Sequence, residues 1–169
     1  MKKNIAIAIL TLLVLIQFIR PERNLSDDRT YDVSEKYRVP ENVKVLLQQA
    51  CNNCHSNKTT YPGYSNIQPL AWWMSSHIND GKRHLNFSEF TKLPIAVQNH
   101  KFEEVIETVE EKEMPLPSYT WLGAHPEASL TDEQRKLIVD WAHTQMDSLK
   151  TNYPPDSLVM KRRSSSPGL

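Results

Sequence analysis

The chemistry of this chain is concentrated in a Cys-x-x-Cys-His motif, formed by Cys51, Cys54 and His55. The motif contains both cysteines of the sequence. Two thiols three positions apart on a helical turn lie about 5–6 Å apart, so both can form thioether bonds at one edge of a porphyrin. The histidine that follows then lies beneath the iron and supplies the proximal axial ligand. The motif therefore predicts one haem c, covalently attached through the two cysteines.

Two other chemistries use paired cysteines. A structural zinc site needs four ligands, and the sequence has no second cysteine pair and no finger-like histidine spacing, although another histidine could complete the set. A thioredoxin-like dithiol follows a strand and opens a helix. Here a helix instead enters the motif from its N-terminal side. Its apolar residues follow the i, i+3, i+4, i+7 spacing: Val43, Leu46, Leu47 and Ala50. Haem attachment is favoured over both alternatives.

The N-terminus has the pattern of an export signal. Lys2 and Lys3 precede an apolar run from Ile5 to Ile19, which is followed by Arg20. Because no Ala-x-Ala-like site follows, we expect an uncleaved anchor that holds the rest on the periplasmic side of the inner membrane. The run spans only about 22 Å as a helix, against about 30 Å of hydrocarbon, so its flanking charges would have to snorkel. Cleavage and release into the periplasm is the alternative.

The remaining chain reads as a globular domain with polar ends. Apolar residues make up 39% of the 169 residues and the formal net charge is zero, which argues against a nucleic-acid partner. We expect four segments: a signal or anchor at 1–23, a polar tether at 24–40, the haem-binding domain at 41–150 and a disordered tail at 151–169. Helical periodicity without alternating strands makes the domain all-α.

Helix signals place three helices after the motif. The first begins at Pro69 and ends at Gly81, and the second begins near Pro94. The third begins at Thr131, whose hydroxyl can form a capping box with Gln134. Several aromatic residues in and around these helices are expected to cover the porphyrin or to fill the core: Tyr64, Trp72, Trp73, Tyr119 and Trp121.

The face of the iron opposite His55 needs its own ligand if the protein transfers electrons. We predict Met114, because Pro115 forces it out of the preceding helix and Pro117 stiffens the strap that presents it. The alternative for Met114 is a packing role. His77 is the competing distal ligand, and it could equally be a core residue. The other histidines considered have polar or turn-like surroundings: His84, His100 and His125.

These residues together resemble the small haem-binding domain family of bacterial envelope proteins, which is related to monohaem cytochromes c. The resemblance runs from about residue 41 to residue 142, through these segments: 51–57, 61–69, Trp72, His77, 81–90, 114–115, Tyr119, 125–128 and Leu130. It implies a small, all-α, cytochrome c-like domain, here behind the N-terminal membrane anchor. It also implies haem ligation by the motif with Met114 opposite, and it implies no particular reaction.

The stretch from His84 to Ser88 is not a feature of generic cytochromes. One interpretation is that it caps a short helix through Asn86 or Ser88. The other is that Arg83 or His84 donates hydrogen bonds to a haem propionate, because a desolvated carboxylate needs such donors.

The function predicted from these features is a monohaem electron carrier of the bacterial cell envelope, rather than an enzyme. Its partners would be other envelope redox proteins, bound by weak transient contacts, and the membrane through the N-terminal helix. Two alternatives remain open. One is a small-ligand sensor or peroxidase-like enzyme with a displaceable distal ligand, and the other is an assembly role in which the haem is only a staple.

Overall fold

A computed structural model describes residues 1–120 and 125–160. Over these ranges the fold is all-helical as predicted, without a β-strand, and Leu25 and Lys58 form an isolated antiparallel bridge. The α-helices are α1 Lys2–Leu15, α2 Glu41–Ala50, α3 Asn52–His55, α4 Leu70–His84, α5 Ile95–Glu110, α6 Pro117–Thr120 and α7 Asp132–Asn152. Short 3-10 helices lie at Ile16–Phe18, Val33–Glu35, Gly63–Asn66, Phe87–Lys92, Pro126–Ala128 and Pro155–Ser157.

The predicted membrane anchor is wrong. Helix α1 has 14 residues, and the chain tightens into a 3-10 turn directly after Leu15. Such a helix spans about 21 Å, well short of the hydrocarbon layer of about 30 Å. In the part of the chain that the structure describes, we find no helix with the length and apolar character needed to cross a membrane. The membrane partner and the inner-membrane localisation were inferred from this helix, so both predictions are wrong with it.

The residues that follow α1 are hydrogen-bonded to the turn before α4. The Gln17 side chain accepts a hydrogen bond from the Gln68 backbone at 2.9 Å. The Gln68 side chain in turn donates to the Ile19 carbonyl at 2.7 Å, and Arg20 donates to the Asn66 carbonyl. The chain from residue 17 to residue 20 is therefore attached to the helical domain.

Residues 24–40, expected to be a polar tether, pack on the helices instead. Asp32 accepts a hydrogen bond from the Ser34 N–H and so caps the 3-10 helix that follows it. This turn directs Val33 and Tyr37 inward, and both are buried in the main hydrophobic core. The sequence did not indicate this packing, because the few apolar residues of this charged stretch show no sustained periodicity, although two of them are enough to attach it.

The main core lies between α2, α5 and α7. Its centre is aromatic: the ring of Phe102 meets Tyr37 and Trp141 edge-on, with centroids 5.0 and 5.6 Å apart. The indole N–H of Trp141 donates to the Arg38 carbonyl at 3.0 Å, so the polar edge of this ring is also satisfied. Helix α7 begins with the predicted capping box, in which the Thr131 hydroxyl accepts from the Gln134 N–H.

Residues 151–160, the described part of the predicted tail, are in part helical and packed on the domain. Helix α7 continues to Asn152, and the Leu158 side chain packs against the core. The Leu158 carbonyl accepts a hydrogen bond from Asn99 at 3.3 Å. Residues 161–169 of the predicted tail lie outside the described residues.

The burial of Tyr37 gives a test of this packing. The Tyr37 hydroxyl donates to the fully buried Gln98 side chain, so Tyr37→Phe leaves a buried carbonyl oxygen without its donor. We expect Tyr37→Phe to lower the free energy of unfolding of the haem-loaded protein in urea by about 1–3 kcal/mol. Tyr31→Phe is the matched control, because it makes the same change at an exposed residue of the same segment. Equal, near-zero effects in the two variants would contradict the packing of residues 24–40.

Candidate haem-binding site

A cavity of about 530 Å³ lies between α3 and α4 on one side and α5 with the strap after it on the other. This volume is typical of sites for small molecules and cofactors, which occupy roughly 300–1,000 Å³. Its apolar lining includes Leu47, Val105, Val109, Leu116 and Ile138. The lining also contains six of the seven predicted site residues: Cys51, Cys54, His55, His77, His84 and Met114.

Helix α4 passes very close to the cysteine motif. A Cβ atom built on Gly81 would lie 2.7 Å from the Cys54 carbonyl oxygen and 3.1 Å from the Cys54 Cβ. Glycine is therefore required here, because α3 and α4 meet backbone to backbone. The sequence predicted that Gly81 ends the helix, but α4 continues to His84 and the glycine serves close packing inside it.

The two cysteines lie on one tight turn. The Cys51 carbonyl accepts hydrogen bonds from the backbone N–H groups of Cys54 and His55, at 3.1 and 2.9 Å. Burial raises the pKa of the Cys51 thiol to about 12, with a smaller contribution from Cys54, and burial also raises the pKa of Cys54. Both groups are therefore protonated thiols at neutral pH. A redox dithiol needs the opposite shift, so the structure disfavours that alternative.

His55 is held with one ring nitrogen directed at a backbone carbonyl. Its Nδ1 lies 3.0 Å from the Leu85 carbonyl oxygen, which can only accept, so Nδ1 carries the proton. Burial lowers the pKa of His55, and the hydrogen bonds to the Leu85 and Gly81 carbonyls offset only part of that effect. The ring is therefore neutral with a lone pair on Nε2, which is the form that binds a metal ion.

Met114 lies in a strap that closes the other wall of the cavity. Helix α5 ends at Glu110, and Lys112, two residues later, is left-handed with φ 62°. The Met114 N–H then donates to the Thr108 carbonyl at 3.0 Å. The Arg135 guanidinium, from α7, donates to the carbonyls of both Val109 and Met114. A charged side chain thus joins the end of α5 to the strap that presents Met114.

Comparison with known families places the chain in one of them. A family model described as a haem-binding domain matches residues 11–144. The chain belongs to the haem-binding domain family. This confirms the predicted resemblance and extends it toward the N-terminus, across the segment that was expected to be a tether. Searches of curated proteins and of solved structures gave no match.

The residues of this haem-binding domain fit the cofactor. The cavity has apolar walls, two protonated thiols on one turn, a neutral imidazole beside them and a thioether on the strap. A zinc site has less support, because within residues 1–120 and 125–160 we find no group of three His, Cys, Asp or Glu side chains placed to hold a metal ion.

The other predicted site residues differ in whether they line the cavity. His77 lines the cavity, and its Nδ1 lies 2.9 Å from the Trp73 carbonyl. His84 also lines it, at the C-terminal end of α4. Arg83 is not among the lining residues: its guanidinium forms a 2.6 Å ion pair with Asp80 on the helix surface. Because α4 continues past Gly81, both Arg83 and His84 belong to its last turn, and Asp80, the partner of Arg83, itself lines the cavity.

Two of the lesser histidine candidates have both ring nitrogens engaged. His125 contacts the Tyr64 hydroxyl through Nε2 at 2.7 Å and Glu127 through Nδ1 at 3.1 Å. His100 contacts Glu103 and Glu104. Neither offers a free nitrogen to a metal ion.

Tyr64 and Tyr119 both contact His125, which the sequence analysis did not predict. The Tyr119 ring, which lines the cavity, stacks on His125 with centroids 4.1 Å apart, and its hydroxyl accepts from Asn53 at 2.8 Å. Burial raises the pKa of Tyr119 and of Tyr64. The family pattern included both tyrosines and His125, but their separation along the chain concealed the contact.

Of the other aromatic residues predicted to cover the ring, Trp72 and Trp73 are exposed, and Trp121 lies outside the described residues.

The close approach at Gly81 gives a second test. Gly81→Ala places a methyl group against the Cys54 backbone, so α4 must move away from α3. We expect a loss of about 1–3 kcal/mol in the free energy of unfolding and a lower haem content per polypeptide. Gly63→Ala is the matched control, since its Cβ would have no atom within 4 Å. Haem content and stability equal to those of the control would contradict the close contact.

Proposed function

We propose that this haem-binding protein carries one covalently attached haem c and acts as a monohaem electron carrier in the bacterial cell envelope. The observation that carries the proposal is the turn that holds two thiols and a neutral, carbonyl-bound imidazole at one end of an apolar cavity. The haem would supply the redox chemistry, the uptake and release of one electron at iron.

Each residue of the motif has a distinct task in this proposal. Cys51 and Cys54 form the thioether bonds that keep the cofactor in a small domain. His55 would ligate the iron through Nε2, while its Nδ1–H donates to the Leu85 carbonyl and so fixes the ring's tautomer and orientation. The apolar walls exclude water and favour a stable low-dielectric site.

Met114 is the distal ligand in this proposal. It lies on the cavity wall, and the bonds from Arg135 and to Thr108 limit the freedom of its strap before iron is bound. His77 is the alternative on the same cavity. For the propionates, His84 is the better of the two candidates, because it lines the cavity whereas Arg83 is paired with Asp80.

An electron carrier needs a ligated iron and no acid–base pair for substrate chemistry. Histidine and methionine ligation raises the reduction potential, which suits exchange with other redox proteins through transient contacts. A sensor or peroxidase-like enzyme would instead require the distal ligand to leave. Slow carbon monoxide binding to the reduced protein is the expected result, and rapid binding would favour the sensor or enzyme.

Covalent attachment is tested by mass and by spectrum. The matured protein should weigh its polypeptide plus one haem, and its reduced-minus-oxidised spectrum should be that of a low-spin haem. Cys51→Ala and Cys54→Ala should each retain one thioether, and the double variant should lose the added mass on denaturation. Asn52→Ala is the control, because it changes the residue between the cysteines without removing a thiol. A colourless protein of polypeptide mass would refute the proposal.

The distal ligand is tested separately. Met114→Ala should abolish the weak long-wavelength charge-transfer band of the ferric protein and lower its reduction potential, because a thioether ligand favours the ferrous state. Met146→Ala makes the same change at a methionine packed against the core and should leave the band intact. His77→Ala should also leave it intact. Persistence of the band in Met114→Ala would show that another group ligates the iron.

A further inference from the structure

The stretch that follows α4 contains the carbonyl that accepts a hydrogen bond from the His55 ring. Helix α4 ends at His84, and Leu85 has an extended conformation while its N–H still donates to the Gly81 carbonyl at 2.8 Å. The Leu85 carbonyl oxygen accepts a hydrogen bond from the His55 Nδ1–H, and the Nδ1–oxygen distance is 3.0 Å. The position of one backbone carbonyl therefore decides how strongly the His55 ring is polarised.

Two residues after Leu85, Asn86 and Ser88, form hydrogen bonds with Asn57, which lies two positions after His55. Asn86 donates from Nδ2 to the Asn57 side-chain oxygen at 2.8 Å. The Ser88 hydroxyl accepts from the Asn57 backbone N–H at 3.2 Å. Asn57 and Ser88 are both buried, so these bonds are shielded from water.

The same residues fix their own local geometry. The Asn86 side-chain oxygen accepts from the Ser88 N–H at 3.1 Å and caps the 3-10 helix Phe87–Lys92. Phe87 and Phe90 anchor that helix in the core. The side-chain amide of Asn57 donates to the Asp28 carbonyl at 3.2 Å, and this bond attaches Asn57 to the N-terminal segment.

Segments 55–57 and 85–88 are thus joined at three points: one bond from the His55 ring and two involving Asn57. The Leu85 N–H is held from the α4 side by the Gly81 carbonyl, but that bond leaves the chain after Leu85 free to turn. The Asn57 bonds hold the two segments together immediately beyond the ring bond.

We propose that Asn57, Asn86 and Ser88 form a clamp that positions the Leu85 carbonyl on His55 and thereby sets the reduction potential of the haem. The clamp residues touch neither substrate nor cofactor and act as positioning residues. The inference rests on the proposed function, because it requires His55 as the proximal ligand. The proposal also assigns a functional role to the stretch from His84 to Ser88. Without it, the role of Asn86 would be only to cap the 3-10 helix Phe87–Lys92.

The expected direction follows from ligand basicity. A strong hydrogen bond from Nδ1 makes the imidazole a better electron donor, which stabilises the ferric state. Loosening the clamp weakens that bond, makes the ligand a poorer donor and raises the reduction potential.

The experiment uses haem-loaded Asn86→Ser and Ser88→Ala. Asn86→Ser keeps a capping oxygen but cannot reach Asn57, and Ser88→Ala removes the acceptor of the Asn57 N–H. Tyr37→Phe is the control. It removes one buried hydrogen bond from the main core, and Tyr37 belongs neither to the clamp nor to the cavity lining. Two quantities are measured: the ferrous-to-ferric ratio at a fixed potential, and the solvent-exchange rate of the His55 Nδ1 proton by NMR.

We expect both clamp variants to shift the ratio toward ferrous by about tenfold, which corresponds to about 59 mV for one electron, and to speed exchange of the Nδ1 proton. Tyr37→Phe should change neither quantity. Clamp variants that match Tyr37→Phe in both measurements would overturn the inference and leave the proposed function standing. Wild-type protein whose spectra lack histidine-ligated haem would overturn the proposed function, and the inference with it.

Discussion

The contact between α3 and α4 is the constraint on which the site depends. Gly81 lets the two backbones meet at Cys54, and this closeness brings the end of α4 within hydrogen-bonding distance of His55. The helix that passes the motif therefore also supplies the acceptor for its histidine. A side chain at Gly81 would separate the thiols from the wall that orients His55, so the proposed covalent attachment and iron ligation would share one packing requirement.

Burial has a consistent effect on the three residues of the motif. It raises the pKa of both thiols and lowers the pKa of His55, so each group is neutral before the cofactor is bound. Neutral groups can line an apolar cavity at little cost, whereas an unpaired thiolate or imidazolium would carry a large desolvation penalty. The apolar environment that would suit a porphyrin therefore also keeps His55 in the neutral form that can bind iron.

The sequence predicted those parts that local chemistry determines. The motif, the helical class, the capping box at Thr131 and the placement of Met114 after α5 need only residue type and spacing. The packing of Val33 and Tyr37 could not be predicted, because isolated apolar residues become informative only when a surface is available to receive them. Hydropathy likewise indicated an apolar run at the N-terminus but not the point where α-helical hydrogen bonding ends. The clamp was hidden for a related reason: Asn57 and Asn86 are ordinary capping residues until the fold brings them together.

The two walls of the cavity are restrained by different means. His55 is held by backbone contact at Gly81, by the Leu85 carbonyl and by the adjacent clamp. Met114 depends on a strap whose carbonyl is bound by a single guanidinium, that of Arg135. Charge-assisted bonds of this kind are strong, but one side chain can rotate away whereas packed backbones cannot. In the proposed haem site, exchange of the distal ligand would therefore begin on the Met114 side. The bonds of the strap to Arg135 and Thr108 would then distinguish a closed electron carrier from a protein that binds small ligands.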